Sequence, residues 1–340
     1  MNTGTKTNEG AVCDISEICP GIFRIPLPMK GDRPGPVNTY LFTGCPVTLL
    51  DTGVALTADI LEASLRKTGY SFSDIERIVI THGHIDHYGA AAIIQERAGK
   101  HIPVFAHRAD APNIRQEEVV PWKQVDRFYR MAGVPFRYRR AIASIRKRFR
   151  TLAARCDVDQ YLEEGMEIAC GRYTGTIVET PGHSKGAVCV YIDTLKALFS
   201  GDHLLAHITP NAFVMLEKGS PLPSRLSQAE FFSSLDRIAA LKPSMVYPGH
   251  GREISEHGAV IAMYRKNFEE RQKRILEILG TSRMTPYGIA KKLFPDFRGK
   301  RLMRELFLII SEVYSHLQVL EKEGRVTSGR MFRVLKFHVR

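Results

Sequence analysis

Residues 81–87 read Thr81-His82-Gly83-His84-Ile85-Asp86-His87 and follow directly on the β-branched run Ile78-Val79-Ile80. That run predicts a buried strand over 75–81 which ends at a polar cluster. Three imidazoles and a carboxylate packed so densely are costly to bury without partners, so the spacing points to metal ligation. On an extended turn His82 and His84 can face one way while Asp86 and His87 face another, and the loop can then serve two cations side by side.

Four candidate ligands do not fill two coordination shells, so others are expected at the ends of later strands. Glu179-Thr180-Pro181-Gly182-His183-Ser184, Ser200-Gly201-Asp202-His203 and Tyr247-Pro248-Gly249-His250-Gly251 each set a histidine or aspartate beside glycine in a strand-to-loop turn, where backbone freedom lets side chains converge. His101, His107, His257, His316 and His338 lack this context and read as ordinary core or surface residues. Cations held by such nitrogen and oxygen ligands ~3.5–4 Å apart can share a hydroxide that attacks a carbonyl or phosphoryl centre, so hydrolysis is the expected chemistry. The mixed histidine and carboxylate set favours two divalent metal ions of zinc, with iron or manganese also fitting.

Outward from this segment, short apolar runs predict strands at 21–27, 37–43 and 47–51, then a helix at 56–67, so the first part is α/β. The interval 108–162 is a long helical insertion interrupted by Pro112, Pro121 and Pro135, expected to lie over the active site as a lid or substrate platform. Strands resume at 166–169, 175–179, 187–193 and 197–200, and a helix at 228–241 with a strand at 245–248 closes a unit spanning 21–258. Residues 259–340 form a connecting helix and a small domain, separate from about 271, with helices at 274–279, 285–293 and 302–323, the last one helix or a pair. Thr285-Pro286 supplies the N-cap and first turn of the middle one. Strands at 326–328 and 331–337, parted by Gly329, complete a winged-helix order that also builds dimerisation modules. Leu302, Leu306, Ile309, Ile310, Val313 and Leu317 make a core or homodimer stripe.

The chain has 340 residues, 44% hydrophobic and 25% charged, a globular composition sized for about two domains. No run approaches the ~20 apolar residues of a membrane span, and residues 1–20 carry Glu9, Asp14 and Glu17 where an export signal needs an apolar centre. Six cysteines without a CxxC pair fit a reducing, cytoplasmic setting. The net charge of +12 gathers at 136–156, with Arg137, Arg139, Arg140, Arg146, Lys147, Arg148, Arg150 and Arg155, and beyond about 264. Such stretches suit either anionic partners or solvated helix faces.

The HxHxDH segment and the three later motifs resemble the metallo-β-lactamase fold superfamily over about 21–258. The resemblance implies a four-layer αββα sandwich with metals at one edge of its two sheets. Carried over residue by residue, it places one metal on His82, His84 and His183, the other on Asp86, His87 and His250, and Asp202 between them, with Asp86 and Asp202 as the catalytic carboxylates. Asp51 in Leu50-Asp51-Thr52-Gly53 matches a further motif and would support the ligands from behind, as would Thr81 and Ser184.

True zinc β-lactamases of the superfamily generally lack the bridging aspartate and are exported, flavodiiron proteins carry an acidic residue where His84 stands, and the glyoxalase II tail differs from 271–340. The chain is more similar to the hydrolases of the β-lactamase-like protein 2 type with a C-terminal winged-helix domain. Matching stretches are Ser200-Gly201-Asp202-His203-Leu204-Leu205, Ile208-Thr209-Pro210-Asn211, Glu312-Val313-Tyr314-Ser315-His316-Leu317 and 320–326. The expected substrate is a small anionic thioester, ester or lactone, with Arg146 and Arg148 of the insertion receiving the anion, and with Tyr88, which follows His87, and His207 and Asn211, which follow Asp202, near the reacting bond. The alternative is an endoribonuclease or phosphodiesterase that binds single-stranded nucleic acid through Lys291, Lys292, Arg298, Lys300, Arg301 and Arg304, with salt-sensitive affinity. A transcription regulator with a decayed site is a third class, and the intact ligand set argues against it.

Overall fold

The computed structural model describes residues 14–29, 34–117, 120–296 and 299–340, and for 149–150 and 299–304 the backbone alone. Arg298 of the basic set therefore lies outside the described residues, as do the side chains of Arg150, Lys300, Arg301, Leu302 and Arg304, and residues 1–13 of the N-terminal extension.

The first sheet opens with the antiparallel strands β1 (Ser16–Cys19), β2 (Ile22–Leu27), β3 (Val37–Phe42) and β4 (Thr48–Leu50). After α1 (Ala58–Lys67) it continues in parallel through β5 (Arg77–Val79), then α2 (Ile85–Tyr88), α3 (Ala91–Ala98) and β6 (Val104–His107). Helices α4 (Ala111–Ile114), α5 (Trp122–Met131) and α6 (Phe136–Arg150) precede β7 (Gln160–Leu162), which pairs in parallel with β6. Among the described residues this sheet runs in simple sequence order from β1 to β7.

The second sheet holds β8 (Glu167–Cys170), β9 (Tyr173–Glu179), β10 (Val188–Ile192), β11 (Ala197–Gly201) and, after α7 (Ser227–Leu241), β12 (Met245–Pro248). Its order is β12-β11-β10-β9-β8, with only the β11–β12 pair parallel among the described strands. Between the sheets lie Ile22, Tyr40, Phe42, Val79, Ile177, Val190 and Phe199. Phe42 and Tyr40 meet Phe199 edge-on at 4.9 and 5.0 Å. Side chains of this size contribute ~1.5–3 kcal/mol each when fully buried, so this interior is a main source of stability.

Helices α1 and α3 cover the outer face of the first sheet through Leu61, Leu65, Ala91 and Ile94. Helices α7 and α8 (His257–Leu279) cover the second through Phe231, Leu235, Ile261 and Tyr264. The expected αββα layering is present.

The remainder comprises α9 (Pro286–Leu293), α10 (Gly299–Lys322) and the hairpin β13 (Val326–Met331) with β14 (Val334–Val339). Thr285 caps α9, its hydroxyl oxygen accepting from the Gly288 N–H at 3.1 Å, with Pro286 in the first turn. The 302–323 region is one helix, and the hairpin turns at Phe332-Arg333, both at positive φ, while Gly329 lies inside β13.

Two expectations need correction. Residues 16–19 of the N-terminal extension are strand β1 of the first sheet. The helical part of the insertion docks on the C-terminal part: Phe128, Ala132, Val134 and Ile142 share a core with Ile275, Leu279, Leu306, Ile310 and Leu317, because the apolar stripes of α6 and α10 find each other. For the same reason the C-terminal part is not separate from about 271, and α8 runs unbroken from the second sheet into that shared core.

Candidate metal centre

Strands β4 and β5 end side by side in one sheet, and in the other β11 and β12 end side by side while β9, with β10 running back between, ends at the same edge. Residues just past these ends are thereby gathered at one edge of the sandwich, where open α/β sheets place their sites. Asp51 follows β4, the His82–His87 loop follows β5, and His183, Asp202 and His250 follow β9, β11 and β12. Their ligand atoms form two groups, His82, His84, His183 and Asp202 in one and Asp86, His87 and His250 in the other, each within 4.8 Å.

The distances suit a cation. Nδ1 of His84 lies 2.9 Å from Nε2 of His82 and 3.1 Å from Nε2 of His183. Nε2 of His87 is 3.4 Å from Oδ1 of Asp202, and Nε2 of His250 is 3.4 Å from Asp86 and 3.6 Å from Asp202 Oδ1. Bonds of ~2.1 Å in a tetrahedral shell put ligand atoms ~3.4 Å apart. The other oxygen of Asp202 faces His183 at 3.6 Å, so this carboxylate addresses both groups. Nε2 of His87, Nε2 of His250 and Oδ1 of Asp202 are buried without a hydrogen-bond partner, and such atoms call for a missing positive charge.

Three of the five histidines are aimed from behind. His87 Nδ1 donates to Asp51 Oδ2 at 2.8 Å, His183 Nδ1 to the Asn211 carbonyl at 2.8 Å, and His250 Nδ1 to the Pro36 carbonyl at 3.0 Å. A proton fixed on Nδ1 leaves the Nε2 lone pair for a metal. Asp51 also accepts the Thr81 N–H and hydroxyl, both at 2.8 Å. At Gly249 a Cβ would stand 2.6 Å from Asp202 Oδ1 and 2.8 Å from His87, so the packing admits glycine there.

Burial, together with neighbouring imidazoles, holds His82 well below its usual value and His183 down to about 4, and burial lowers His84, so these rings are neutral donors. Burial opposes ionisation of Asp202 too, yet His250 and His87 outweigh it and keep the carboxylate charged. His87 is likewise disfavoured by burial, but Asp51 and Asp202 raise it well above the ordinary value. Those protons are what cations displace on binding.

The other candidates divide: Ser184 and Asn211 support the site from behind and His207 lies against Gly251 beside His250, while Tyr88 turns away. Tyr88 is 2% exposed and belongs to the core under the first sheet rather than to the reacting edge, because α2 turns it inward. Ser184 donates to Asp110 at 2.6 Å. His207 is exposed and donates to the Pro34 carbonyl at 2.8 Å, and Asn211 acts through its backbone carbonyl. Arg146 is partly buried and Arg148 exposed on α6, whose Ile142 packs in the core shared with α10.

Sequence reasoning missed Asp110. Its carboxylate accepts from the Gly83 N–H at 2.8 Å, the Ser184 hydroxyl at 2.6 Å and the Gly186 N–H at 2.9 Å, tying the loops of the two sheets together. Its one signal is an acid three residues past the β6 end. Tyr264 of α8 was missed as well: its hydroxyl accepts the Leu205 N–H at 2.7 Å and sits 2.7 Å from the Leu205 carbonyl, pinning the segment after Asp202.

A family model described as the metallo-beta-lactamase superfamily matches residues 32–250. The Bacillus subtilis (strain 168) protein named Probable metallo-hydrolase YqjP is 31% identical over 316 residues, 90% of this chain and 93% of its own. A Beta-lactamase-like protein 2 homolog of Caenorhabditis elegans is 26% identical over 78% of this chain and 75% of its own. Among solved structures, a metallo-beta-lactamase family protein from Thermus thermophilus aligns at TM-score 0.79 and 25% identity, covering 95% of this chain and 100% of that one. A beta-lactamase domain protein from Burkholderia ambifaria aligns at TM-score 0.83 and 20% identity over 97% and 95% of the two chains, a likeness of fold that takes in the helical additions.

Proposed function

The chain belongs to the metallo-beta-lactamase superfamily and is a metallo-hydrolase; from that premise we propose that it uses two divalent cations to cleave a small anionic thioester, ester or lactone. The observation that carries this reading is Asp202, a buried carboxylate whose oxygens face His183 on one side and His87 and His250 on the other. His82, His84 and His183 would hold one cation, Asp86, His87 and His250 the other, and Asp202 would serve both. Bound there, the cations supply Lewis-acid polarisation of the substrate oxygen and a water acidic enough to attack near neutral pH. Zinc suits the donors best, and iron or manganese also suit them.

The chain's own part is positional. Asp51, Asn211 and Pro36 fix the imidazole protons away from the cluster, and Asp110 holds the β5 loop against the β9 loop. The buried sides of His82, His87 and His250 keep bulk water off the ligands from behind. Elemental analysis of the purified protein is expected to find about two metal equivalents, and Asp202→Ala to lower both occupancy and turnover. One metal-replete preparation screened on acyl thioesters, esters, lactones and single-stranded RNA tests the substrate class. Cleavage of RNA alone would overturn it.

A further inference from the structure

We propose that Phe213, backed by Phe307 of α10, is the acyl-binding wall of the site, so that an apolar chain lies beside the bond being cleaved and the C-terminal helix takes part in selecting it. The proposal deepens the hydrolase reading and rests on it for the reacting bond.

Residues 203–226 leave the end of β11 at Asp202 and cross the cluster as a strap. The Phe213 ring stands edge-on to His84 and His183, with centroids at 5.2 and 5.3 Å. Its other neighbour is Phe307, nearly parallel at 13° and 6.4 Å. Of the seven converging residues, His84 and Asp86 are the partly exposed ones and the other five are buried. Solvent therefore reaches the cluster at His84 and Asp86, and beside His84 Phe213 is itself only partly buried. A substrate arriving at the ligands passes along an aromatic surface, and that surface gains from covering by an apolar group.

The ring is fixed in place. The Val214 N–H donates to Ser311 of α10 at 2.6 Å, and Val214, Leu216 and Leu222 pack on the C-terminal core. From the insertion, Gln124 of α5 donates to the carbonyls of Glu217 and Ser220, both at 2.6 Å, and accepts from the Gly219 N–H at 3.1 Å. Two steps before Phe213, the Asn211 carbonyl receives the His183 proton. The strap is thus clamped by both helical additions at its far end and by a candidate ligand at its near end. A wall held this firmly discriminates by the length of the chain laid against it.

The test uses the full chain loaded with cobalt, and straight-chain carboxylates from acetate to hexanoate as probes, with binding followed by the cobalt absorption spectrum. In the parent each added methylene is expected to tighten binding about fourfold, the worth of one buried methylene. Phe213→Ala should reduce that gain to less than about twofold per methylene, with metal content unchanged, and Phe307→Ala should reduce it in part while Phe307→Tyr restores it. A flat series in the parent, or an equal slope in Phe213→Ala with its metals retained, overturns the proposal. Activity separates the two readings: a steep series in a protein that cleaves no ester, thioester or lactone upholds the wall and sinks the hydrolytic assignment. Turnover with no dependence on chain length does the reverse.

Discussion

Replacing Asp51 by Asn tests whether the cluster depends on the proton held at His87. Asp51 sits at φ +59°, a conformation Asn tolerates, so the exchange changes chemistry with little backbone cost. The carboxylate accepts three donors, the Thr81 N–H, the Thr81 hydroxyl and His87 Nδ1, each at 2.8 Å. An amide has one oxygen. If that oxygen faces His87, the amide N–H groups point at the Thr81 N–H; if it faces the Thr81 N–H, His87 must move its proton to Nε2, the atom turned toward Asp202. Either way one charge-assisted hydrogen bond is lost, about 2 kcal/mol, which is about 30-fold in affinity. Metal titration of the apo-protein against a chromophoric chelator should show the weaker site loosened by that amount, within the 10–100-fold typical of groups that orient a ligand. Both affinities staying within about twofold of the parent would refute the orienting role.

Three further outcomes follow from the geometry. Gly249→Ala places a methyl 2.6 Å from Asp202 Oδ1, so metal stoichiometry should fall while the far-ultraviolet circular dichroism is kept. Asp110→Ala strands the Gly83 and Gly186 N–H groups and the Ser184 hydroxyl; urea unfolding should show a loss on the order of 3 kcal/mol. His316 of α10 stacks on Phe268 at 4.7 Å, and burial, with Arg271 adding to it, pushes its pKa down to about 3. The unfolded chain, with an ordinary imidazole near 6.5, then binds the extra proton, so stability falls as pH drops below that value. Between pH 7 and 5 this group costs about 2 kcal/mol, and His316→Phe should remove that part of the pH dependence in paired urea titrations.

The candidate ligands were legible because each sits in a short polar burst beside glycine at a strand end, and that signal is local. The layering was legible for the same reason, through the periodic runs of β3, β5, β10 and β11. Strand β1, read as part of an extension, carries only the four residues Ser16–Cys19, two of them polar, and is a strand because β2 offers it an edge. Asp110 is marked only by its place three residues past β6, and Phe213 has no local signature. One matters through donors from residues 83, 184 and 186, the other through rings at 84, 183 and 307, and only the folded chain brings these together. Where α5 and α6 dock was hidden behind the insertion's arginines: the burial of Phe128, Ala132 and Ile142 decides it, and these residues stand among the charges without a local mark.

Helix α8 buries Ile261 and Tyr264 against the second sheet and Ile275 and Leu279 among the C-terminal helices. A cut before Tyr264 would part that residue from Leu205, and a cut beyond it would still strip Ile275 and Leu279 from the C-terminal core. The polypeptide accordingly offers no seam between the lobe that carries the chemistry and the lobe that carries the tail, and shortening it to a minimal enzyme would remove part of the scaffolding on which the reacting edge is built.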